Sequence, residues 1–214
     1  MKHSWNISPQ EAIGIQRRLA RRVVREAPFD PPSLVAGVDV AFGSGQAQAA
    51  AVLLNYPRLD MIDHAIAREP IAFPYVPGLL SFREGPAILK ALGMLARVPD
   101  LILFDGQGVA HPRRLGIASH IGIVADRPSI GCAKTRLVGT YREPGRERGS
   151  ISELHDGEEV IGAVVRTRSR VKPVFVSTGH RIGLQDAVAY VLDCCRGFRL
   201  PEPIRMADRL SRSG

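Results

Sequence analysis

Within ten residues, Asp105-Gly106-Gln107-Gly108-Val109-Ala110-His111-Pro112-Arg113-Arg114 gathers a carboxylate, two glycines, an imidazole and two guanidinium groups. The apolar run Leu101-Ile102-Leu103-Phe104 leads into it, so Asp105 stands where a buried strand ends. An ionised carboxylate at the edge of a core needs a metal, a cation or several donors to offset its desolvation. Nearby glycine lets backbone come close to a ligand. Arg113 and Arg114 suit an anionic ligand, with phosphate the obvious candidate. The plainer alternative is that Asp105 caps a helix beginning near Leu115, but a cap leaves His111, Arg113 and Arg114 unexplained.

A second strand-borne acid is Asp39, in a run from Leu34 to Phe42. Val38, Val40 and Phe42 share one face of that strand; Gly37, Asp39 and Ala41 share the other. Small neighbours leave room above Asp39 for an ion, although a lone Asp in a strand more often faces water. Glu84 is expected in the first turn of a helix from Leu80 to Val98, where the ordinary role of an acid is to meet the helix dipole. Asp208 rides on a last helix, Pro201 to Ser211. These carboxylates meet only if the strands bearing Asp39 and Asp105 are neighbours. Converging acids need a divalent cation, and oxygen-only ligands select Mg²⁺, with Mn²⁺ as a substitute, over zinc. Such an ion activates water and stabilises a phosphoryl group in transfer. Lys134 directly follows the strand Pro128–Cys132.

The elements that must hold these groups begin at Ser8-Pro9-Gln10-Glu11, a capping box opening a helix. Ala12, Ile15, Leu19 and Val23 form its apolar stripe, and Arg17, Arg18, Arg21, Arg22 and Arg25 its other side, either a solvated face or a phosphate contact. Pro28, Pro31 and Pro32 end the segment. Leu34–Phe42, Gln46–Tyr56 and Met61–Arg68 read as an antiparallel meander. In Phe73-Pro74-Tyr75-Val76-Pro77-Gly78, two prolines stiffen a loop that presents Tyr75. Tyr75 either packs on the core or acts as a wedge in a base stack. Ile117–Ala125 is a short helix, and Thr140–Gly149 a polar, mobile loop. Val160–Arg168 and Val174–Ser177 form a hairpin, and Gly183–Cys195 a helix. Together these predict an α/β mixed sheet with helices on both faces.

The chain has 214 residues, 45% hydrophobic, which suits a single domain over 1–214. Its net charge of +8 favours a polyanionic partner such as nucleic acid. Cys132, Cys194 and Cys195 form no CxxC or His-Cys cluster, so zinc and a disulfide framework are not expected. No run resembles a signal peptide or a membrane span, and a cytoplasmic monomer is the expectation. No phosphate-binding GxxxxGK[ST] motif appears.

Six stretches carry a family resemblance. They are Gly37–Phe42, Pro74–Glu84, Asp105–Arg114, Gly131-Cys132-Ala133-Lys134, Ser177-Thr178-Gly179-His180-Arg181 and Leu200–Asp208. In this order they resemble the endonuclease V family, deoxyinosine 3′-endonucleases of DNA repair with a ribonuclease H-like fold. The resemblance implies metal binding by Asp39 and Asp105, with Glu84 and Asp208 completing the cluster; in the family the last position varies between Asp and His. It implies that His111 and Lys134 orient the attacking water or the scissile phosphate. It also implies that Tyr75 fills the gap left by a flipped base, and that the backbone around Gly78, Leu80 and Gly106 lines a hypoxanthine pocket. The implied cut is at the second phosphodiester bond 3′ to the lesion. Inosine-containing RNA is the alternative substrate, and a non-catalytic nucleic-acid-binding protein the alternative class; intact Asp39, Glu84 and Asp105 argue against the latter.

Overall fold

The computed structural model describes residues 3–27 and 30–213. Helix α1 (Pro9–Ala20) precedes a meander of β1 (Leu34–Gly43), β2 (Gln46–Asn55) and β3 (Met61–Pro70). Then come α2 (Leu80–Met94), β4 (Leu101–Phe104), α3 (Ile117–Ala125) and β5 (Ser129–Ala133). Strands β6 (Thr140–Tyr141), β7 (Ile151–Asp156), β8 (Glu159–Val165) and β9 (Val174–His180) follow, and α4 (Leu184–Asp193) and α5 (Glu202–Ser211) close the fold.

All these strands form one sheet in the order β3-β2-β1-β4-β5-β9-β8-β7-β6. The pairs β1–β4 and β4–β5 are parallel and the rest antiparallel. Parallel neighbours need crossovers, which α2 and α3 supply. The meander turns at Ser44-Gly45, both with positive φ (49° and 74°), the geometry a two-residue hairpin needs.

Alternation along the strands feeds two cores. Val35, Leu101, Leu103 and Ile130 pack with Val188, Val191 and Ile204 of α4 and α5. Ala36, Val38, Ile102 and Phe104 pack with Ile88, Ala91 and Ile121 of α2 and α3. Helix α1 closes a third layer over Phe73, Leu79, Phe82 and Leu115. The capping box is formed: Ser8 N–H donates to Glu11 Oε2 (2.8 Å) and Glu11 N–H to Ser8 Oγ (3.3 Å).

Four expectations need correction. Helix α2 stops at Met94 rather than Val98, because Leu95 is already extended (φ −63°, ψ 139°). Because the helix begins at Leu80, Glu84 is its fifth residue and lies beyond the first turn, too far in to serve the helix dipole. The 140–149 segment is anchored: Thr140 and Tyr141 pair with His155 and Leu154, and the turn after them wraps a buried Arg166. That guanidinium donates to the carbonyls of Pro144, Gly145 and Val171 and to Glu143 Oε1. Strand β7 has no counterpart in the sequence reading, since within it only Leu154 is buried and no apolar alternation marks it. Pro28, expected to help end the first segment, lies outside the described residues.

Candidate active site

The last register pair between β1 and β4 is Val38 with Phe104, so the next residue on each strand is an acid, Asp39 and Asp105. They lie side by side where the parallel pairing ends, Asp105 just past the end of β4 and Asp39 midway along β1, which runs on beside β2 to Gly43; open α/β sheets bind ligands at this end of their parallel strands. Helix α5 lies against β1 because residue 37 is glycine; a Cβ there would come within 2.1 Å of the Pro203 carbonyl group. That contact brings Ser211 Oγ to Asp39 Oδ2, donating at 2.6 Å, and Asp208 to the rim, where Arg212 pairs with it at 2.7 Å. Glu84 reaches in from α2, on the opposite face. With Asp39 and Asp105 it lines a cleft of about 180 Å³ floored by Val38, Phe104 and Ile117. Asp105 does not cap α3, whose N-cap is Gly116.

Charge in this cleft is unbalanced. Burial, then the charges of Asp39 and Asp105, push the Glu84 carboxyl up to about 8. Burial raises Asp39 too; the Ser211 hydrogen bond works against it, and Asp105 and Asp208 add to it. Lys134, carried past the end of β5, pairs with Asp105. Burial disfavours its ammonium, but the hydrogen bond and charge of Asp105, with Asp208 and Asp39 behind, hold its pKa above the ordinary lysine value. Among the described residues no three His, Cys, Asp or Glu side chains are gathered at metal-ligand spacing. The acids instead stand around the cleft, with Lys134 paired to Asp105 and Arg212 to Asp208 at the rim. Four oxygen-donor acids, at least two of them resisting ionisation, fit a hard divalent cation.

Next to this cleft, and sharing Asp105 and Ile117 with it, is a pocket of about 480 Å³. Gly78, Leu80 and Gly106 line it, together with Gln16, Gln107 and Gly116. Tyr75 stands at its mouth, 73% exposed, so it is not a core residue. The loop behind Tyr75 is fastened at one atom. The Gly78 carbonyl accepts from Gln16 Nε2, His111 Nε2 and Arg113 Nη2, each at 2.9 Å. Gly78 has φ +77°, and a Cβ would lie 2.9 Å from Arg113 Nη2, so glycine is required there. The Asp105–Arg114 loop is seated equally closely. A Cβ on Gly108 would meet the Thr178 carbonyl oxygen at 2.0 Å, and Gly108 N–H donates to Ser177 Oγ at 2.9 Å.

Three residues take different places from those expected. His111 Nδ1 accepts from Arg113 N–H (3.1 Å), which leaves Nε2 as the protonated nitrogen donating to Gly78. Burial lowers its pKa to about 4, so it is a neutral wall of the pocket, with both ring nitrogens engaged, and does not line the carboxylate cleft. Arg113 is spent on Gly78 and Gln16. Arg114, at φ 54°, pairs with Asp156 and Glu159 and donates to the His111 carbonyl. Both arginines hold loops together: carboxylates meet the charge of Arg114, and two neutral oxygens tie down Arg113. Two site residues escaped the sequence reading. Gln16 continues the buried stripe after Ala12, and Ser211 the stripe Ile204–Ala207; a polar residue on an apolar stripe was the available signal.

A sheet with acids where the pairing of adjacent parallel strands ends, beside a glycine-walled pocket, defines a nuclease of the ribonuclease H-like class. The chain belongs to the endonuclease V family, whose model matches residues 17–209. It is 54% identical to Endonuclease V of Methanothrix thermoacetophila over 209 residues, 98% of this chain and 93% of the relative. Among solved structures it is similar to Endonuclease V from Streptomyces avermitilis, with TM-score 0.93 and 45% identity, covering 99% of this chain and 95% of that one. It is also similar to Ciona intestinalis Endonuclease V in complex with a 24mer DNA containing an inosine followed by a ribo-adenosine. There the TM-score is 0.83 and the identity 28%, over 95% of each chain.

Proposed function

We propose that this chain is a divalent-metal-dependent DNA repair endonuclease. It recognises deoxyinosine and cuts the second phosphodiester bond on the 3′ side, leaving 3′-hydroxyl and 5′-phosphate ends. The observation that carries the reading is the shared wall: the pocket beneath exposed Tyr75 and the carboxylate cleft both use Asp105 and Ile117. A base held in the first places its own 3′ backbone at the second. Flipping costs a few kcal/mol and least at a mispaired base, so an inosine mismatch is favoured before any hydrogen bond forms. Tyr75, on a loop stiffened by Pro74 and Pro77 and fastened at Gly78, takes the place of the departed base in the stack.

Asp39, Glu84 and Asp105, with Asp208 at the rim, are the residues that would hold Mg²⁺ or Mn²⁺. When bound, the ion supplies positive charge to the phosphoryl oxygens and acidity to the attacking water. Lys134, kept protonated beside Asp105, neutralises a non-bridging phosphate oxygen. His111 keeps the pocket wall in place. The whole chain acts as one domain and one monomer in the cytoplasm; no described helix is long and apolar enough to cross a membrane. The test is a labelled duplex with a single inosine, incubated with Mg²⁺ or with chelator. One nick, at the second bond 3′ to inosine and only with the ion, is expected. Cutting that ignores the inosine, or that persists in chelator, overturns the reading.

A second reading, inosine in RNA, is favoured by the ribo-adenosine that follows the inosine in the Ciona complex. Discrimination would rest on contacts with the 2′-hydroxyl, and matched DNA and RNA oligonucleotides separate the two.

A further inference from the structure

We infer that a cleft of about 500 Å³ on the far side of the carboxylates is a phosphate subsite for the strand leaving the cut on its 3′ side, with Arg68 as its anion-binding residue. The inference rests on the functional reading above, which sets where the lesion and the cut lie. Three clefts stand in line. The base pocket shares Asp105 with the carboxylate cleft, which takes Asp39 and Val40 from β1, and the third cleft begins at the next two residues, Ala41 and Phe42. A strand with its lesion in the first and its cut at the second is led by this succession toward the third. At about 3.3 Å per residue, Phe42 is some 10 Å beyond Asp39, within reach of the nucleotides next to the cut.

The chemistry of the third cleft is opposite to that of the second. Its lining includes Arg68, Arg212, Gln46 and Gln48 and contains no acid. Arg68 is oriented in advance: its Nε donates to Gln48 Oε1 at 2.5 Å, while Gln48 Nε2 donates to the carbonyls of Ser211 (2.9 Å) and Ser213 (3.2 Å). Among the described residues, Nη1 and Nη2 of Arg68 carry no hydrogen bond or ion pair. This is a guanidinium fork fixed by one nitrogen, with its two others free, which is what phosphate recognition uses. Arg113 and Arg114, by contrast, are already spent. Ser211, which bonds Asp39, also lines this cleft, so the subsite and the catalytic acids share one support.

The experiment measures binding in chelator, by fluorescence anisotropy, for inosine oligonucleotides whose 3′ and 5′ flanks are shortened separately. The wild-type protein is compared with Arg68→Ala and Arg68→Lys, and cleavage with Mg²⁺ is followed in parallel. On long 3′ flanks Arg68→Ala should weaken binding about ten- to hundredfold, the worth of one charge-assisted contact. It should also lower the salt slope by about 0.7–0.9, one phosphate. The ratio of variant to wild type should approach one as the 3′ flank is removed and stay unchanged as the 5′ flank is removed; Arg68→Lys should recover part of the loss. A penalty independent of the 3′ flank, one that follows the 5′ flank, or none at all overturns the subsite. Failure of the wild type to cut any inosine oligonucleotide counts against the functional reading instead, and the binding series still decides the role of Arg68.

Discussion

The base pocket and the carboxylate cleft share a wall yet are built on opposite electrostatic terms. In the pocket, the polar groups around Gly78 satisfy one another: three donors converge on its carbonyl, and His111 is held neutral with both nitrogens engaged, while the buried Gln107 Oε1 is left without a partner. In the cleft, acids crowd together and Glu84 is pushed up to about 8, with Lys134 as the close cation. A satisfied network is rigid, which suits recognition by shape. An unsatisfied one draws in positive charge, which suits chemistry on a phosphate. The difference teaches that the two functions should be separable by mutation.

The sharpest break is in the cleft. Asp39→Ala or Asp105→Ala should reduce cleavage by about 10⁴-fold or more, the scale on which an essential catalytic group acts. Binding to inosine DNA should persist, because it is carried by the pocket and by phosphate contacts elsewhere. Near-normal cutting by either variant, assayed on the inosine duplex, would remove the proposed metal site.

On the pocket side, Tyr75→Ala should weaken duplex lesion binding by about ten- to hundredfold, from a stacking worth of roughly 1–3 kcal/mol. The loss should be smaller on single-stranded inosine DNA, and the bond chosen for cutting should not move. An exposed side chain predicts an unchanged melting temperature; a destabilised variant with unaltered duplex preference would rule out the wedge.

Arg113→Ala sharpens the comparison further. A phosphate contact would weaken all sequences alike, whereas a loop fastener should lower stability by about 1–2 kcal/mol and weaken inosine DNA more than undamaged DNA. Calorimetry combined with binding to both DNAs distinguishes these outcomes. Arg114→Ala should loosen the β7–β8 hairpin held through Asp156 and Glu159.

A further effect is on acid stability. Burial lowers His111 to about 4, and burial together with the charge of His3 lowers His120 to about 3. His120 is sealed between Ser81 Oγ (2.9 Å) and His3 Nε2 (2.7 Å). Since both folded values lie below the unfolded value of about 6.5, the unfolded chain binds more protons in that interval. The stabilisation is complete above about pH 6.5 and is lost as pH falls toward 4 and then 3. Glu84, raised to about 8, acts in the opposite sense over the same interval, because there the folded chain binds the extra proton. The histidine contribution is therefore read as a difference: from pH 7 to pH 5, His120→Gln, if it folds, should lose less stability than the wild type, and an equal change in the two proteins contradicts the burial argument.

Much of this was legible in the chain. The capping box, the meander and the β4 run are local patterns, and local sterics and burial periodicity produce them whatever the rest of the molecule does. Asp39, Asp105 and Tyr75 could also be singled out as candidates, because acids on or just after apolar strands and a proline-stiffened aromatic stand out locally, whereas Gly78 entered only through the family resemblance. Strand β7 and the anchoring of the 140–149 segment could not, since both depend on partners distant in the chain, above all Arg166.

By itself the sequence determined which elements form and which acids are available, through propensity, periodicity and turn chemistry that act over a few residues. Only the tertiary structure decided what those residues do. Register between β1 and β4 set Asp39 beside Asp105. The missing side chain at Gly37 let α5 bring Ser211 to Asp39. The two arginines that look most like phosphate binders in the sequence, Arg113 and Arg114, are consumed by partners reached through the fold, while Arg68, on the edge strand β3, keeps its fork free. A charge is available to a ligand only when nothing nearer satisfies it, and what is nearer is a property of three-dimensional packing.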